Sequence, residues 1–409
     1  MKTRVVVTGA GAISSLGHDW QSIKNSLASL KNSVRYMPEW DIYPELRVRL
    51  ASPVDDFEIP SHYRKKQTRS MGRVAQMAVR ATELALESAN LREHPVISSG
   101  NTGIAFGSAT GSSAAAVEFF SLLENRSMER INPTTYLRMM SHTAAVNLEV
   151  FFGITGRIYT TSSACTAGSQ GIGYAYEAIR SGAQTVMLAG GAEELCPTQA
   201  AVFDTILAAC VTNDHAEGVP APFDTSREGL VLGEGACTLI LESLDHAVAR
   251  NATILAELIG FGTNSDGAHL VRPQIETMNK VMQLAIADAG IDSGDIGYVS
   301  AHATATRYGD IAEGQATQQV LGSSTPISSL KSYMGHSLGA CGAIEAWTTI
   351  MMMNEGWFIP TLNLQSVDPE CGDLDFIQTS IRQLDTDIVM SNNFAFGGIN
   401  SSLLFRRFE

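Results

Sequence analysis

Three side chains able to act as a nucleophile and its proton partners stand at the ends of apolar runs. Cys165 lies in Ser162-Ser163-Ala164-Cys165-Thr166-Ala167-Gly168, between a strand-like stretch, 156–161, and a helical one, 170–180. A thiol at a helix start meets the positive end of the helix dipole and unpaired N–H groups. That position predicts a stabilised thiolate, a lowered pKa and a usable nucleophile at neutral pH. An inert buried cysteine is the competing reading. His302 follows the apolar run 296–300, with Thr304 and Thr306 just beyond. His336 sits in Lys331-Ser332-Tyr333-Met334-Gly335-His336-Ser337-Leu338-Gly339-Ala340, again before a helix. An imidazole there is expected to stay neutral, because the dipole disfavours its cation, and a neutral ring can donate N–H to a developing oxyanion. Taken singly, either histidine reads equally well as a structural one. Lys331 and Glu313 are candidates for a buried ion pair that orders the pocket. Near the C-terminus, Asn392-Asn393-Phe394-Ala395-Phe396-Gly397-Gly398-Ile399-Asn400 forms a glycine-bracketed aromatic turn whose N–H groups could bind an oxyanion.

These groups need a scaffold, and strand and helix signals alternate throughout, as in an α/β layered protein. Residues 4–8, 103–106, 156–161, 185–189, 238–241 and 254–259 read as strands, residues 71–87, 170–180 and 242–250 as helices. Gly190 and Gly191 read as the stop of the strand at 185–189. A faint internal echo links residues 160–191 to residues 326–364. Each copy runs from a small-residue turn into a Gly/Ala-rich helix and then a strand, with Cys165 or His336 just before the helix. The echo suggests two similar halves, 1–250 and 251–409, with a site between them.

At 409 residues the chain exceeds one simple core. Its net charge of −14 argues against generic nucleic-acid binding. No run approaches the ~20 apolar residues that span a bilayer. Six scattered cysteines, without CxxC or metal-ligand spacing, suit a reducing cytoplasm and no metal. The N-terminal GAGAISSLG follows a strand and invites a dinucleotide-loop reading. Ser14 replaces the third glycine, and no acidic strand end follows about 20 residues on. A tight strand-to-helix turn is the preferred reading, and a nucleotide cofactor the minor one.

The motifs SSACTAGSQGIGYAYEAIRSG, VMLAGGAEE, PFDTSREGLVLGEGA, AHATATRYGDIAEGQA, LKSYMGHSLGACGAIEA and NNFAFGGIN occur in this order. In them, over essentially its whole length, the chain resembles the type I/II β-ketoacyl-(acyl-carrier-protein) synthases. The resemblance implies a thiolase-like α/β fold of two similar halves in an α-β-α-β-α layering. It implies decarboxylative condensation of a malonyl unit with a Cys165-bound acyl chain. The substrates would arrive on the phosphopantetheine of acyl carrier protein, with no separate cofactor. Cys165 would take the acyl chain, and His302 and His336 would hydrogen-bond the malonyl thioester carbonyl. The N–H groups of Cys165 and Phe396 would form an oxyanion hole, and Lys331 and Glu313 would support the site. Thr304 and Thr306 would contact the pantetheine arm, while Phe203, Phe394 and Phe396 would line or gate the acyl pocket. A cytoplasmic homodimer is also implied.

The chain departs from the pattern at Ala303, Ala305, Arg307-Tyr308 and Ala395. None removes a catalytic group, but they point to a specialised pathway, with aryl-polyene or other polyene synthesis favoured. An acidic carrier needs a basic landing site. Arg64, Lys65, Lys66 and Arg69 supply one, with Arg73 beyond, and Arg126 and Arg130 could extend it; a solvated charge cluster is the alternative. Two rival functions remain. A non-decarboxylating thiolase would use a second cysteine in place of one histidine. A non-catalytic chain-length partner subunit would lack the nucleophile.

Overall fold

The structure, a computed structural model, describes residues 3–409. Its centre is an eleven-stranded sheet. In chain order the strands are β1 (Val5–Ser14), β2 (Thr102–Gly107), β3 (Ile158–Thr160), β4 (Val186–Glu193), β5 (Gly235–Ser243), β6 (Ala256–Ser265), β7 (Tyr298–Ser300), β8 (Pro326–Ser328), β9 (Asp375–Phe376), β10 (Ile388–Phe394) and β11 (Ile399–Arg406). Their spatial order is β9-β8-β7-β10-β11-β6-β1-β5-β4-β2-β3. On one side of the middle, β1 pairs antiparallel with β5, β5 antiparallel with β4, and β4, β2 and β3 run parallel. On the other side β6, β11, β10, β7 and β8 repeat that order and those directions, with β9 added. The two parts join where Val5, Val6 and Val7 pair antiparallel with Leu258, Glu257 and Ala256. β-branched and apolar runs buried on both faces make these strands, as in any sheet covered by helices on both sides.

Five helices matter for the site: α1 (Arg73–Ser88), α2 (Ala167–Arg180), α3 (Ile275–Ala289), α4 (Arg307–Leu321) and α5 (Cys341–Glu355). α1 packs on β1 and α3 on β6, as equivalent outer helices. α2 and α5 pack on each other and touch strands from both parts of the sheet. They form the middle layer of an α-β-α-β-α sandwich.

The apparent dinucleotide loop is the end of a strand followed by a tight turn: β1 runs to Ser14, and Ser15 and Leu16 turn the chain toward a helix that starts at Trp20. Gly9 and Gly11 lie inside β1, which runs straight through GAGAIS. A Cβ on Gly9 would sit 2.7 Å from the Ala85 carbonyl oxygen, and one on Gly11 2.5 Å from that of Ala81, so α1 presses onto bare strand backbone. At the equivalent glycines of β6, Gly260 and Gly262, an added Cβ would sit 2.4 and 2.2 Å from the carbonyl oxygens of Ala285 and Val281 on α3. The glycines therefore serve helix-on-sheet packing. Gly190 and Gly191 likewise do not end their strand, since β4 continues to Glu193 and delivers a buried carboxylate to the site.

Candidate active site

Cys165 occupies a short 3-10 turn, Ala164–Thr166, that feeds α2. Its counterpart is the turn Leu338–Ala340, which feeds α5. Each turn places a non-glycine residue in the left-handed region, Ala164 at φ 52° and Leu338 at φ 44°. Such conformations cost energy and persist where surrounding packing enforces them. The superposition of turns sets Cys165 opposite Gly339, so His336 is not its positional twin. His336 sits three residues earlier, after the helix Lys331–Met334 and Gly335. Its backbone is pinned on both sides, the N–H donating to Val231 O at 2.8 Å and the carbonyl accepting from Gly233 N at 3.0 Å.

His336 Nε2 lies 3.0 Å from Cys165 Sγ. The His302 ring stands edge-on to that of His336, with centroids 5.1 Å apart. His302 is held through its backbone: its N–H and that of Ala303 donate to the two oxygens of Glu313, each at 2.7 Å. The backbone N–H groups of Phe396 and of Cys165 itself point at the sulfur. All three side chains line one cavity of about 550 Å³, together with Phe203, Thr304, Thr306, Phe394 and Phe396. The hydroxyls of Thr304 and Thr306 are 3.0 Å apart. Phe396, 39% exposed, packs edge-on against Phe203 with centroids 6.2 Å apart, while Phe394 is buried beside His302. Arg227, Arg272, Arg307 and Tyr308 also line the cavity.

The electrostatics correct one sequence expectation. Cys165 is 4% exposed, and burial pushes its thiol pKa up, outweighing the two N–H groups and Lys331, which favour the thiolate. The environment thus favours the thiol over the thiolate. The expectation of neutral imidazoles agrees with the environment. Burial, reinforced by the Lys331 ammonium, holds both His302 and His336 well below the ordinary 6.5.

The expected ion pair changes partner. Lys331, 1% exposed, bonds through Nζ to Glu345 on α5. Burial works against its charge, but the Glu345 carboxylate overrides that and raises the Lys331 pKa. Glu313 is occupied by the His302 and Ala303 N–H groups, and burial lifts its pKa to about 8.

Besides Glu345, the site holds three groups that no sequence pattern marks. Asn393 Nδ2 donates to Glu345 Oε2 at 2.7 Å and lies 3.3 Å from His302 Nδ1. The Cys341 thiol donates to the Cys165 carbonyl at 3.3 Å. Glu193 accepts from the N–H groups of Ala109, Thr110 and Gly339, at 2.6, 3.2 and 3.2 Å, and so ties the turn before α5 to the end of β2. For Glu345 the signal was available. A carboxylate in the buried, largely apolar first part of a helix, flanked by Ala343, Ile344, Ala346 and Trp347, must have a partner.

Donor atoms of Cys165, His302 and His336 lie within 4.8 Å of one another, as do those of His302, Cys341 and Glu345. These are zinc-type ligands. They come from separate segments, so no metal spacing shows in the sequence.

Arg64, Lys65, Lys66 and Arg69 are exposed on and around the helix Lys65–Thr68, and Arg126 and Arg130 are exposed as well. Arg73 does not extend this patch. Its guanidinium is half-buried and bonded to Glu234 Oε1 at 2.7 Å. Among the described residues, no helix is long and apolar enough to cross a membrane.

Residues 2–247 match the family model of the β-ketoacyl synthase N-terminal domain, and residues 255–365 that of its C-terminal domain. The chain belongs to the β-ketoacyl synthase family. It is an acyltransferase-type enzyme that condenses an acyl chain with a malonyl unit carried on acyl carrier protein. It is 34% identical to the 3-oxoacyl-(acyl-carrier-protein) synthase 2 of Staphylococcus aureus strain COL, over 99% of both chains. It is also 34% identical to the synthase 1 of Haemophilus influenzae, again over 99% of both. Among solved structures, a β-ketoacyl synthase from Burkholderia phymatum STM815 is 54% identical with a TM-score of 0.99, and the ishigamide ketosynthase/chain length factor 31% identical with a TM-score of 0.91, each covering 100% of both chains.

Proposed function

We propose that Cys165, His302 and His336 carry out the condensation in two half-reactions within the cavity they line. The observation behind this reading is the convergence of a thiol, an imidazole nitrogen 3.0 Å away, a second imidazole and two backbone N–H groups on one point. In the first half-reaction Cys165 Sγ attacks an acyl thioester and the N–H groups of Cys165 and Phe396 receive the oxyanion. The thiol proton ends on the departing thiol of the phosphopantetheine arm, while His336 keeps its own proton on Nε2, beside the sulfur. In the second, a malonyl thioester enters with its carbonyl oxygen on the N–H donors of His302 and His336. The bond from Cα to the carboxylate breaks, carbon dioxide leaves, and the electron pair becomes an enolate. Its carbon attacks the acyl-Cys165 carbonyl and the sulfur departs, giving a 3-ketoacyl thioester two carbons longer. Two neutral imidazoles suit this step, because a donor that keeps its proton stabilises the enolate without quenching it.

In this reading Glu313 and Lys331 position the site from behind, Lys331 through Glu345. Thr304 and Thr306 contact the arm, and Phe203, Phe394 and Phe396 form and gate the acyl pocket. Residues 1–250 contribute the nucleophile and residues 251–409 both histidines. The carrier docks on Arg64, Lys65, Lys66 and Arg69, with Arg126 and Arg130 as a second contact. One solved relative, 28% identical, is described as a type II polyketide ketosynthase in complex with its acyl-carrier protein. The working form is a homodimer in the cytoplasm, and no cofactor beyond the arm takes part. A polyenoic or aryl-capped primer is the preferred substrate. The intact Cys165 disfavours a chain-length partner subunit.

Mass spectrometry after incubation with an acyl carrier, followed by malonyl carrier, tests the reading. Expected are an acyl adduct on Cys165, carbon dioxide release and a product two carbons longer. No adduct on Cys165 would refute the nucleophile. Product profiling with saturated, polyenoic and aryl-capped primers decides the pathway.

A further inference from the structure

We propose that Asn393 is a positioning residue that fixes the tautomer of His302, holding its proton on Nε2 for donation to the malonyl carbonyl. The inference rests on the role given to His302 above and deepens it. Asn393 is fully buried at the end of β10. The side-chain amide has two ends, and its surroundings dictate which faces where. Glu345 receives the Lys331 ammonium on Oε1, so its Oε2, 2.7 Å from the amide, requires a donor. The Asn393 NH₂ supplies that donor. The opposite orientation would set the amide oxygen against a carboxylate oxygen. With the NH₂ so placed, it lies 3.3 Å from His302 Nδ1, and the amide oxygen is left without a partner.

A donor facing Nδ1 requires that nitrogen to offer its lone pair. A neutral imidazole carries one proton, which must then sit on Nε2. Nε2 is the ring nitrogen left to the cavity that His302 lines. The other tautomer would oppose two donors at Nδ1 and turn a lone pair toward the substrate carbonyl oxygen, which repels it. A chain of contacts, Lys331 to Glu345 to Asn393 to His302, thus converts a buried ion pair into a proton position.

The test combines nitrogen-15 NMR of histidine-labelled protein, with His302 assigned through His302→Ala, and the two half-reactions measured separately. In the unmodified protein His302 Nδ1 should resonate as an unprotonated nitrogen and Nε2 as a protonated one. Asn393→Asp presents an acceptor to the ring, so the NMR pattern should reverse. Malonyl decarboxylation should then fall about 10²–10³-fold, the loss typical of removing one oxyanion donor, while Cys165 still acylates. Asn393→Ser, which adds no buried charge, serves if the aspartate variant does not fold. It should show signals of both tautomers and slower decarboxylation. A protonated Nδ1 in the unmodified protein, a single retained Nε2–H tautomer in the serine variant, or decarboxylation at the full rate in the variant that folds would overturn the proposal. If instead His302→Ala decarboxylates normally, the catalytic role of His302 fails while the NMR result stands by itself.

Discussion

Replacing Lys331 by Met isolates what the buried ion pair contributes. Lys331 and Glu345 are 1% and 2% exposed, and among the described residues the lysine supplies the one full positive charge that touches the Glu345 carboxylate. Methionine keeps much of the volume but removes the ammonium and leaves that buried carboxylate to the Asn393 amide. Breaking one partner of a buried pair costs about 3–5 kcal/mol. Unfolding entropy of roughly 2.1 cal/mol/K per residue, over 409 residues, gives about 0.9 kcal/mol/K. The melting temperature of Lys331→Met should therefore fall about 4–6 °C in reversible calorimetry. Lys331→Met combined with Glu345→Leu removes both charges and should regain most of that loss, since a hydrophobic replacement of a buried pair is often neutral. Activity should separate the two effects. The double variant still lacks the anchor for Asn393, so its decarboxylation stays slow although the fold is restored. A double variant as unstable as the single one would refute the buried-charge reasoning.

The acid limb of decarboxylation should lie well below pH 6.5, because burial and Lys331 keep both histidines neutral there. The sign for stability follows: as pH falls through 6.5 the unfolded chain takes up protons that the folded one does not, so stability present above 6.5 is lost below it. A rate that halves at pH 6.5 would contradict this. Alkylation of resting Cys165 by iodoacetamide should climb with pH through 9 without a plateau near neutrality, since burial raises the thiol pKa above its ordinary 9.0. A plateau at pH 7 would restore the preformed thiolate. Arg64→Glu with Lys65→Glu should weaken acyl transfer from carrier protein and spare acylation by a small thioester mimic, because both residues are exposed. Equal loss in the two assays would exclude docking there.

How the site was legible follows from where its information lies. Cys165, His302 and His336 stand at ends of strands and turns, and apolar runs bounded by small residues mark such ends in one dimension. The partners of these residues lie in the third dimension. Glu313 and Glu345 are both buried acids on helices, and either could answer a buried lysine on sequence grounds. Only the packing of α5 beside the Lys331 turn decides between them, and it frees Glu313 to clamp the backbone of His302. The state of the Cys165 thiol is hidden from the sequence for a related reason. A helix dipole can be read from a strand–turn–helix pattern, whereas desolvation depends on what the rest of the chain piles on top, and here desolvation wins.

The glycines show the same division. Gly9 and Gly11 resemble a nucleotide loop in sequence because close backbone approach is what such loops need too. In this fold the approaching backbone is α1, and the repeat of the arrangement at Gly260 and Gly262 under α3 shows that the site is built on two copies of one packing unit. The middle helices α2 and α5 are the equivalent pair, and the turns that start them carry strained residues at matching positions, Ala164 and Leu338. One copy uses its turn to present a thiol. The other places Gly339 there instead, whose N–H donates to Glu193, and supplies its imidazole from three residues upstream. An offset of three residues between otherwise matching turns is what lets a thiol and an imidazole face each other at 3.0 Å across the junction of two similar units.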